Sequence, residues 1–198
     1  MKSLVFLLTF VLIASLAHSQ AALLDRDQSS TIIESGLARG HKYTILALGV
    51  GATFRGQYDI GIFISKFNSL TGDYWTLGQS SSIEILSETS KDQVTSNLSV
   101  NQGFSSAQGI PRLSLGATFS IMPRLSRESS VLFSLGYNRS LSLSSGQEGF
   151  NAIIIGFTLA IRDRKTLYQI SPFATVAEDN RGTYGVALSL SSLTSNRQ

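Results

Sequence analysis

Hydrophobic positions along this chain follow two regimes. The first is a single block. Leu4 to Ala17 is an almost unbroken apolar run, interrupted by Thr9 and Ser15, with Lys2 ahead of it and Ala17-His18-Ser19 behind it. Small residues at Ala17 and Ser19 occupy the −3 and −1 positions of a cleavage site before Gln20. The run is shorter than the ~20 residues that span a bilayer as a helix. Residues 1–19 therefore predict a cleavable secretory signal peptide, with an uncleaved membrane anchor as the alternative.

The second regime begins at His41 and has period two. Leu46, Leu48, Val50, Ala52 and Phe54 fall on one face of an extended segment, with Ala47, Gly49, Gly51 and Thr53 on the other. After a tight Arg55-Gly56 turn, Tyr58, Ile60, Ile62 and Ile64 line one face of a second segment, so the two predict an antiparallel hairpin. The C-terminal half repeats the pattern in Leu113–Ile121, Val131–Asn138, Phe150–Ile161, Leu167–Val176 and Tyr184–Ser191. Even spacing and short links predict an up-and-down meander. The segments at 111–122, 129–142, 149–162 and 182–193 reach the ~9–11 residues of a tilted membrane strand and exceed the ~5–6 of ordinary soluble strands.

Two stretches are ambiguous. Tyr74–Leu86 and Val94–Phe104 are both polar and Ser-rich, and counting both gives nine strands, an odd number for a bacterial membrane barrel. The reading adopted is eight: Tyr74–Leu86 as the third strand, residues 87–110 as a long loop. Ten strands follow if both segments and the 30–38 stretch are strands. Residues 20–40 otherwise read as a lead-in with a loose helical turn, because Thr31-x-x-Glu34 resembles a capping box and Ile32, Ile33 and Leu37 can share a side. The expected organisation is a signal peptide at 1–19, a lead-in at 20–40, a barrel domain at 41–193 and a tail at 194–198.

Composition changes the picture by deciding which face meets water. Charged residues make up 15% of the chain, well below the usual ~25%. The faces opposite the large apolar residues carry Gly, Ser, Thr and Asn, where a soluble barrel would present Lys, Glu and Asp. Charges collect at strand ends: Arg55; Arg124, Arg127 and Glu128; Arg162, Asp163, Arg164 and Lys165; Glu178, Asp179 and Arg181. Lys66 and Arg139 have the parity of the apolar face but sit near strand ends, where their heads can snorkel to an interface. Tyr58, Tyr137, Tyr168 and Tyr184 also lie near strand ends, as an aromatic girdle requires. Together these predict an all-β, up-and-down antiparallel transmembrane β-barrel: apolar side chains to lipid, small polar ones to the lumen.

The stretch Leu113-Ser-Leu-Gly-Ala-Thr-Phe-Ser-Ile-Met-Pro-Arg-Leu-Ser-Arg-Glu-Ser-Ser-Val-Leu-Phe-Ser-Leu-Gly-Tyr137 resembles a hairpin of the small bacterial outer-membrane β-barrels, the OmpA-type transmembrane domain and its relatives. These recur as strand, short periplasmic turn with Pro and Leu-Ser, and strand ending in Gly-Tyr. The resemblance covers the last 90 or so residues well and the remainder by pattern. It implies a Gram-negative outer-membrane location with porin-like architecture. The chain departs from the family in lacking the terminal aromatic residue common there, ending Leu190-Ser-Ser-Leu-Thr-Ser-Asn-Arg-Gln198. With both termini periplasmic, turns 123–128 and 162–165 are periplasmic. Loops 87–110, 143–148 and 178–182 and the Arg55-Gly56 turn are then extracellular, with 87–110 the candidate contact for an extracellular ligand.

Candidate chemistry is sparse. The chain has no cysteine, which removes thiol catalysis, Cys-based metal sites and a lipoprotein anchor. Net charge is +3, or +2 without Lys2, and no basic stripe interleaves with aromatics, so nucleic acid is not an expected partner. His18 would leave with the signal. His41 alone forms neither a metal cluster nor a triad, and at the periplasmic end of an eight-stranded barrel it is badly placed for a rim hydrolase. Gly49-x-Gly51 lacks the following helix of a phosphate loop. Asn97-Leu-Ser99 and Asn138-Arg-Ser140 are formal glycosylation sequons. Asp59 and Glu84 are candidates to project inward and pair with a lumenal Arg112. No catalytic, cofactor-binding or metal-ligating residue is expected, and no cofactor.

The reading is an integral outer-membrane β-barrel without enzymatic activity, structural or surface-binding through its loops, in contact with outer-membrane lipid and monomeric. A secreted, lipocalin-like soluble β-barrel holding a small apolar ligand is the alternative. A lipid-modifying barrel enzyme is a third.

Overall fold

Alternation makes one face of every strand apolar, and in a lipid environment every backbone N–H and C=O must also find a partner on a neighbouring strand. The computed structural model meets both demands by closing the sheet. It describes residues 23–24, 28–69, 72–90, 94–107, 110–123, 125–126, 128–144, 149–178 and 182–195. The expected signal peptide lies outside the described residues. Ten strands run β1 (Gln28–Gly40), β2 (Tyr43–Phe54), β3 (Tyr58–Ser69), β4 (Tyr74–Thr89), β5 (Val94–Ala107), β6 (Ile110–Pro123), β7 (Ser129–Ser142), β8 (Phe150–Asp163), β9 (Thr166–Ala177) and β10 (Gly182–Ser195). Each pairs antiparallel with its sequence neighbour, and β1 pairs with β10 to close the ring.

The ten-stranded alternative is therefore the observed one, and the eight-stranded reading is corrected at two places. Residues 30–38 are not a lead-in helix but the core of β1, held between β10 from Gln28↔Ser195 to Gly40↔Thr183 and β2 from Ser30↔Thr53 to Gly40↔Tyr43. The apparent capping box loses to ring closure: without β1, the edges of β2 and β10 would be bare. Residues 87–110 are not a long loop. They hold the end of β4, all of β5 and the start of β6, with β5 laddered to β4 and β6 along its length. A bulge between Glu84 and Leu86 shifts the β4–β5 register and turns both Ile85 and Leu86 outward.

The face assignment is as expected. Leu115 is 47% exposed while the adjacent Ser114 is 1% exposed. The same inversion runs round the barrel: Leu48, Ile62, Leu135, Ile155, Ile170 and Leu188 point out, while Ser65, Ser120, Ser140, Thr158, Thr175 and Ser191 are buried inside. The OmpA-type barrels to which the sequence bears a resemblance are eight-stranded, so the chain shares with them the closed up-and-down antiparallel plan but not the strand number.

One rim of the barrel carries the outer ends of β1 and β10 together with the turns after β2, β4, β6 and β8 (the terminal rim). The opposite rim carries the connections after β1, β3, β5, β7 and β9. Adding β1 reverses part of the expected topology. The Arg55-Gly56 turn lies on the terminal rim, and His41 lies on the opposite one. In the Arg55 turn both central residues have positive φ, 52° at Arg55 and 56° at Gly56, and Gln57 N–H donates to the Phe54 carbonyl at 3.1 Å. That is the mirror-image turn whose twist suits a hairpin.

Pro172 lies on the lipid face of β9 and lacks an N–H. The β8–β9 ladder is broken between Gly156↔Phe173 and Leu159↔Ile170, whereas on the other side Pro172 keeps its register with Val186. Thr158 and Ser171 hydroxyls meet at 2.9 Å across the gap.

The closing seam has little slack. A Cβ on Gly185 of β10 would sit 2.5 Å from the Leu37 carbonyl oxygen and 2.7 Å from Ala38 Cβ on β1. Both are part of the strand it pairs with and cannot yield as a flexible side chain would. Gly185→Val is expected to destabilise the folded barrel by about 1–3 kcal/mol, read as a lower urea midpoint for loss of the folded species in lipid vesicles. An unchanged midpoint would show that the seam tolerates a side chain there.

Candidate functional site

With the outer face committed to lipid, the lumen and its two rims are where chemistry can reside. The lumen divides along its axis. Towards the opposite rim it is aromatic. Phe67 of β3 is fully buried and stacks on Tyr43 of β2 with centroids 4.8 Å apart and on Tyr74 of β4 at 4.6 Å. The hairpin β1–β2 explains why Tyr43 lies flat. Gly40 is its partner across the two-residue turn, and the Tyr43 ring fills the space a Cβ on Gly40 would take. The Tyr43 hydroxyl is hydrogen-bonded to Thr183 of β10, fixing the ring across the closing seam. Ile45, Phe63 and Phe173 complete this cluster.

Arg112 of β6 also lies towards this rim, 1% exposed. The acidic groups lie elsewhere. Asp59, at the terminal-rim end of β3, accepts from Thr53 Oγ1 at 2.5 Å and from Ser82 Oγ at 3.2 Å. Glu34 of β1 crosses over Gly49 and feels the charge of Asp59. The expected pairing of Asp59 with Arg112 is thus corrected: they project inward but from opposite ends of the barrel. Glu84 is half-buried at the terminal rim, its backbone N–H donating to the Gln57 carbonyl at 2.8 Å. The signal that could have separated these groups was parity of strand direction, which the missing first strand had inverted.

Polar satisfaction inside is incomplete within the protein. The Ser65, Thr76, Ser140 and Thr175 hydroxyls and the Asn97 and Asn138 side-chain carbonyls are buried with no hydrogen-bond partner among protein atoms. The two sequons are settled by the same geometry: Asn97 and Asn138 point inward and are buried, so neither offers its amide at the surface.

At the terminal rim, Leu24 packs on Ala160, Leu167 and Leu193. At the same rim a cleft of about 480 Å³ is bounded by Phe54, Arg55, Tyr58 and Glu84 among others. At the opposite rim, Tyr137 donates to Asn151 Oδ1 at 2.6 Å, and Asn151 is bonded to Glu178. Lys66 pairs with Asp73 at 3.4 Å. Tyr58 and Tyr168 ring the terminal end, and Trp75, Tyr137 and Tyr184 the other, which is the expected girdle on both interfaces. His41 is exposed on the two-residue turn between β1 and β2. Among the described residues there is no group of three or more His, Cys, Asp or Glu able to hold a metal ion.

Comparison with known proteins finds only distant structural likeness. No protein-family profile matches the chain, and no curated protein does. Among solved structures it is similar to LpxR from Salmonella typhimurium, at 6% identity and TM-score 0.46, covering 83% of this chain and 99% of that one. It is also similar to the β domain of the Bordetella autotransporter BrkA, at 12% identity and TM-score 0.47 over 85% and 99%. The translocator domain of autotransporter NalP from Neisseria meningitidis is similar at 9% identity and TM-score 0.44 over 92% and 95%. Such distant superpositions carry no argument about activity. The closed ring, the meander and the apolar exterior stand on the chain's own geometry.

Phe67 is the centre of the aromatic stack, so its removal should be felt throughout that half of the lumen. Phe67→Ala is expected to cost about 3–5 kcal/mol, measured by urea unfolding of the vesicle-inserted barrel. A loss below 1 kcal/mol would mean that the stack collapses freely around the gap and is not a rigid plug.

Proposed function

We propose that the chain is a non-enzymatic integral protein of the Gram-negative outer membrane, with a structural role and a lumen closed to bulk solute flow. The terminal rim faces the periplasm and the opposite rim, with its short connections, faces outward. The observation that carries this reading is the joint arrangement of an apolar exterior and a filled interior. Inward Thr53, Ser140, Thr175 and Ser191 have no accessible surface, and an aromatic stack from three adjacent strands lines the lumen near one rim. An eight-stranded barrel is filled by side chains and porins of 16–18 strands are open. At ten strands the outcome depends on which residues point inward, and here large rings occupy the extra width.

The soluble, lipocalin-like alternative fits poorly. It requires the large apolar residues inside, and they are outside. Against a lipid-modifying activity stands the isolation of His41, exposed on a tight turn instead of being held against a serine. Surface binding through residues 87–110 as one long loop is set aside, because most of that segment is strand. Any surface contact falls instead to the remaining outer connections, of which the seven residues between Ser142 and Phe150 form the longest.

Fractionation is the first test. The protein is expected in the outer-membrane fraction, resistant to extraction without detergent, with a gel mobility that shifts on boiling. Recovery in the soluble fraction without detergent would sink the reading. Planar-bilayer recordings are the second. The purified barrel is expected to give no ion-conducting steps, and stable steps from the unmodified protein would overturn the closed lumen.

A further inference from the structure

The lipid-facing surface is apolar at mid-depth around nearly the whole barrel, but not on β4 and β5. Gln79 and Ser81 of β4 and Gln102 of β5 have the parity of the lipid face, and Gln102 is exposed. Register places them together: Ser81 is directly opposite Gln102, and Gln79 is opposite Phe104, two residues along. Their other neighbours are apolar: Ile62 beside Gln79, Ile60 beside Ser81, and Leu115 beside Gln102. Ile62 is the midpoint of the outward run on β3 from Tyr58 to Lys66, so the patch does not belong to an interface. Gln79 lies four residues from Trp75, which at ~3.3 Å per residue and a tilt of ~40° is roughly 10 Å deeper along the membrane normal.

Two primary amides at that depth are costly in hydrocarbon, where no water can satisfy them. Neither has a hydrogen-bond partner among the described residues. Their position selects the partner. Insertion is vectorial, so two copies in one membrane have the same rim outward, and a twofold axis relating them runs along the membrane normal. Such an axis preserves depth: a residue near it meets its own counterpart. Glutamine is suited to that meeting, because each amide both donates and accepts. Ser81, paired with Gln102 and small, adds no bulk to this face.

We propose that β4 and β5 form the contact face of a homodimer in the membrane, with Gln79 and Gln102 hydrogen-bonding to the same residues of a second copy. The proposal rests on the membrane reading above, and it replaces the simple expectation of a monomer.

The absence of cysteine makes single-cysteine variants unambiguous. Gln102→Cys should form a disulfide-linked dimer on mild oxidation of native membranes at least about tenfold faster than Leu188→Cys, since proximity at a packed face raises effective concentration strongly. Leu188 is the control because it is outward-facing on β10, five strands round the ten-strand ring. Equal rates for the two cysteines overturn the proposal. The Gln79→Leu/Gln102→Leu variant should weaken dimerisation in lipid vesicles about tenfold, counted by single-molecule photobleaching, while keeping the boiling-dependent gel shift of a folded barrel. An unchanged dimer fraction in that folded variant also overturns it. If the leucine variant does not fold, the cysteine comparison decides alone. Recovery of wild-type protein from the soluble fraction would be a failure of the membrane reading, distinguishable from a monomeric barrel in the membrane.

Discussion

Ring closure between β1 and β10 is the constraint on which the remaining structure depends. Thirteen residue pairs join the two strands, from Gln28↔Ser195 to Gly40↔Thr183. In lipid an open edge would leave a row of backbone N–H and C=O groups with no partner, so the chain must supply as many strands as closure requires. That demand makes a strand of Gln28–Gly40 despite its helical hints. It also sets the direction of the strands that follow: one more strand at the start exchanges the rims of Arg55 and His41.

Closure also decides what the interior must be. A ring of ten strands is too wide to be filled by serine and threonine alone, and the aromatic residues on its inner face are not spread evenly. Tyr43, Phe67 and Tyr74 come from three adjacent strands and stack into one group, with Gly40 vacating the space that Tyr43 needs. Charged groups are then held at separate depths, Asp59 among hydroxyls near one rim and Arg112 towards the other. The interior thus has an aromatic group towards one rim and polar groups at both ends.

How far this was legible depended on local contrast between the two faces. Leu113–Ile121 and Tyr184–Ser191 alternate between large apolar and small polar residues, and their orientation could be read directly. Val94–Ala107 could not. Its inward face has Asn97, Asn101 and Ser105, and its outward face is interrupted by Gln102, so period two is nearly flat in hydropathy. The same weak contrast that hid β5 as a strand marks its outer face as unusual for lipid. At the lumen, Asp59 and Arg112 were correctly expected to point inward, but their pairing failed because depth depends on strand direction, and direction depends on the strand count.

By itself the sequence determined the period of the chain, the inverted polarity of its faces, the aromatic and charged residues at strand ends, and hence a barrel whose apolar surface needs a bilayer. These are local properties: each follows from side chains one or two residues apart on a pleated strand. Tertiary structure alone decided the number of strands, the assignment of turns to rims, the meeting of Tyr43, Phe67 and Tyr74, and the gathering of Gln79, Ser81 and Gln102. Each of those depends on register between strands and on closure of the ring. Backbone hydrogen bonds between distant segments set both, and no pattern within a single segment records them.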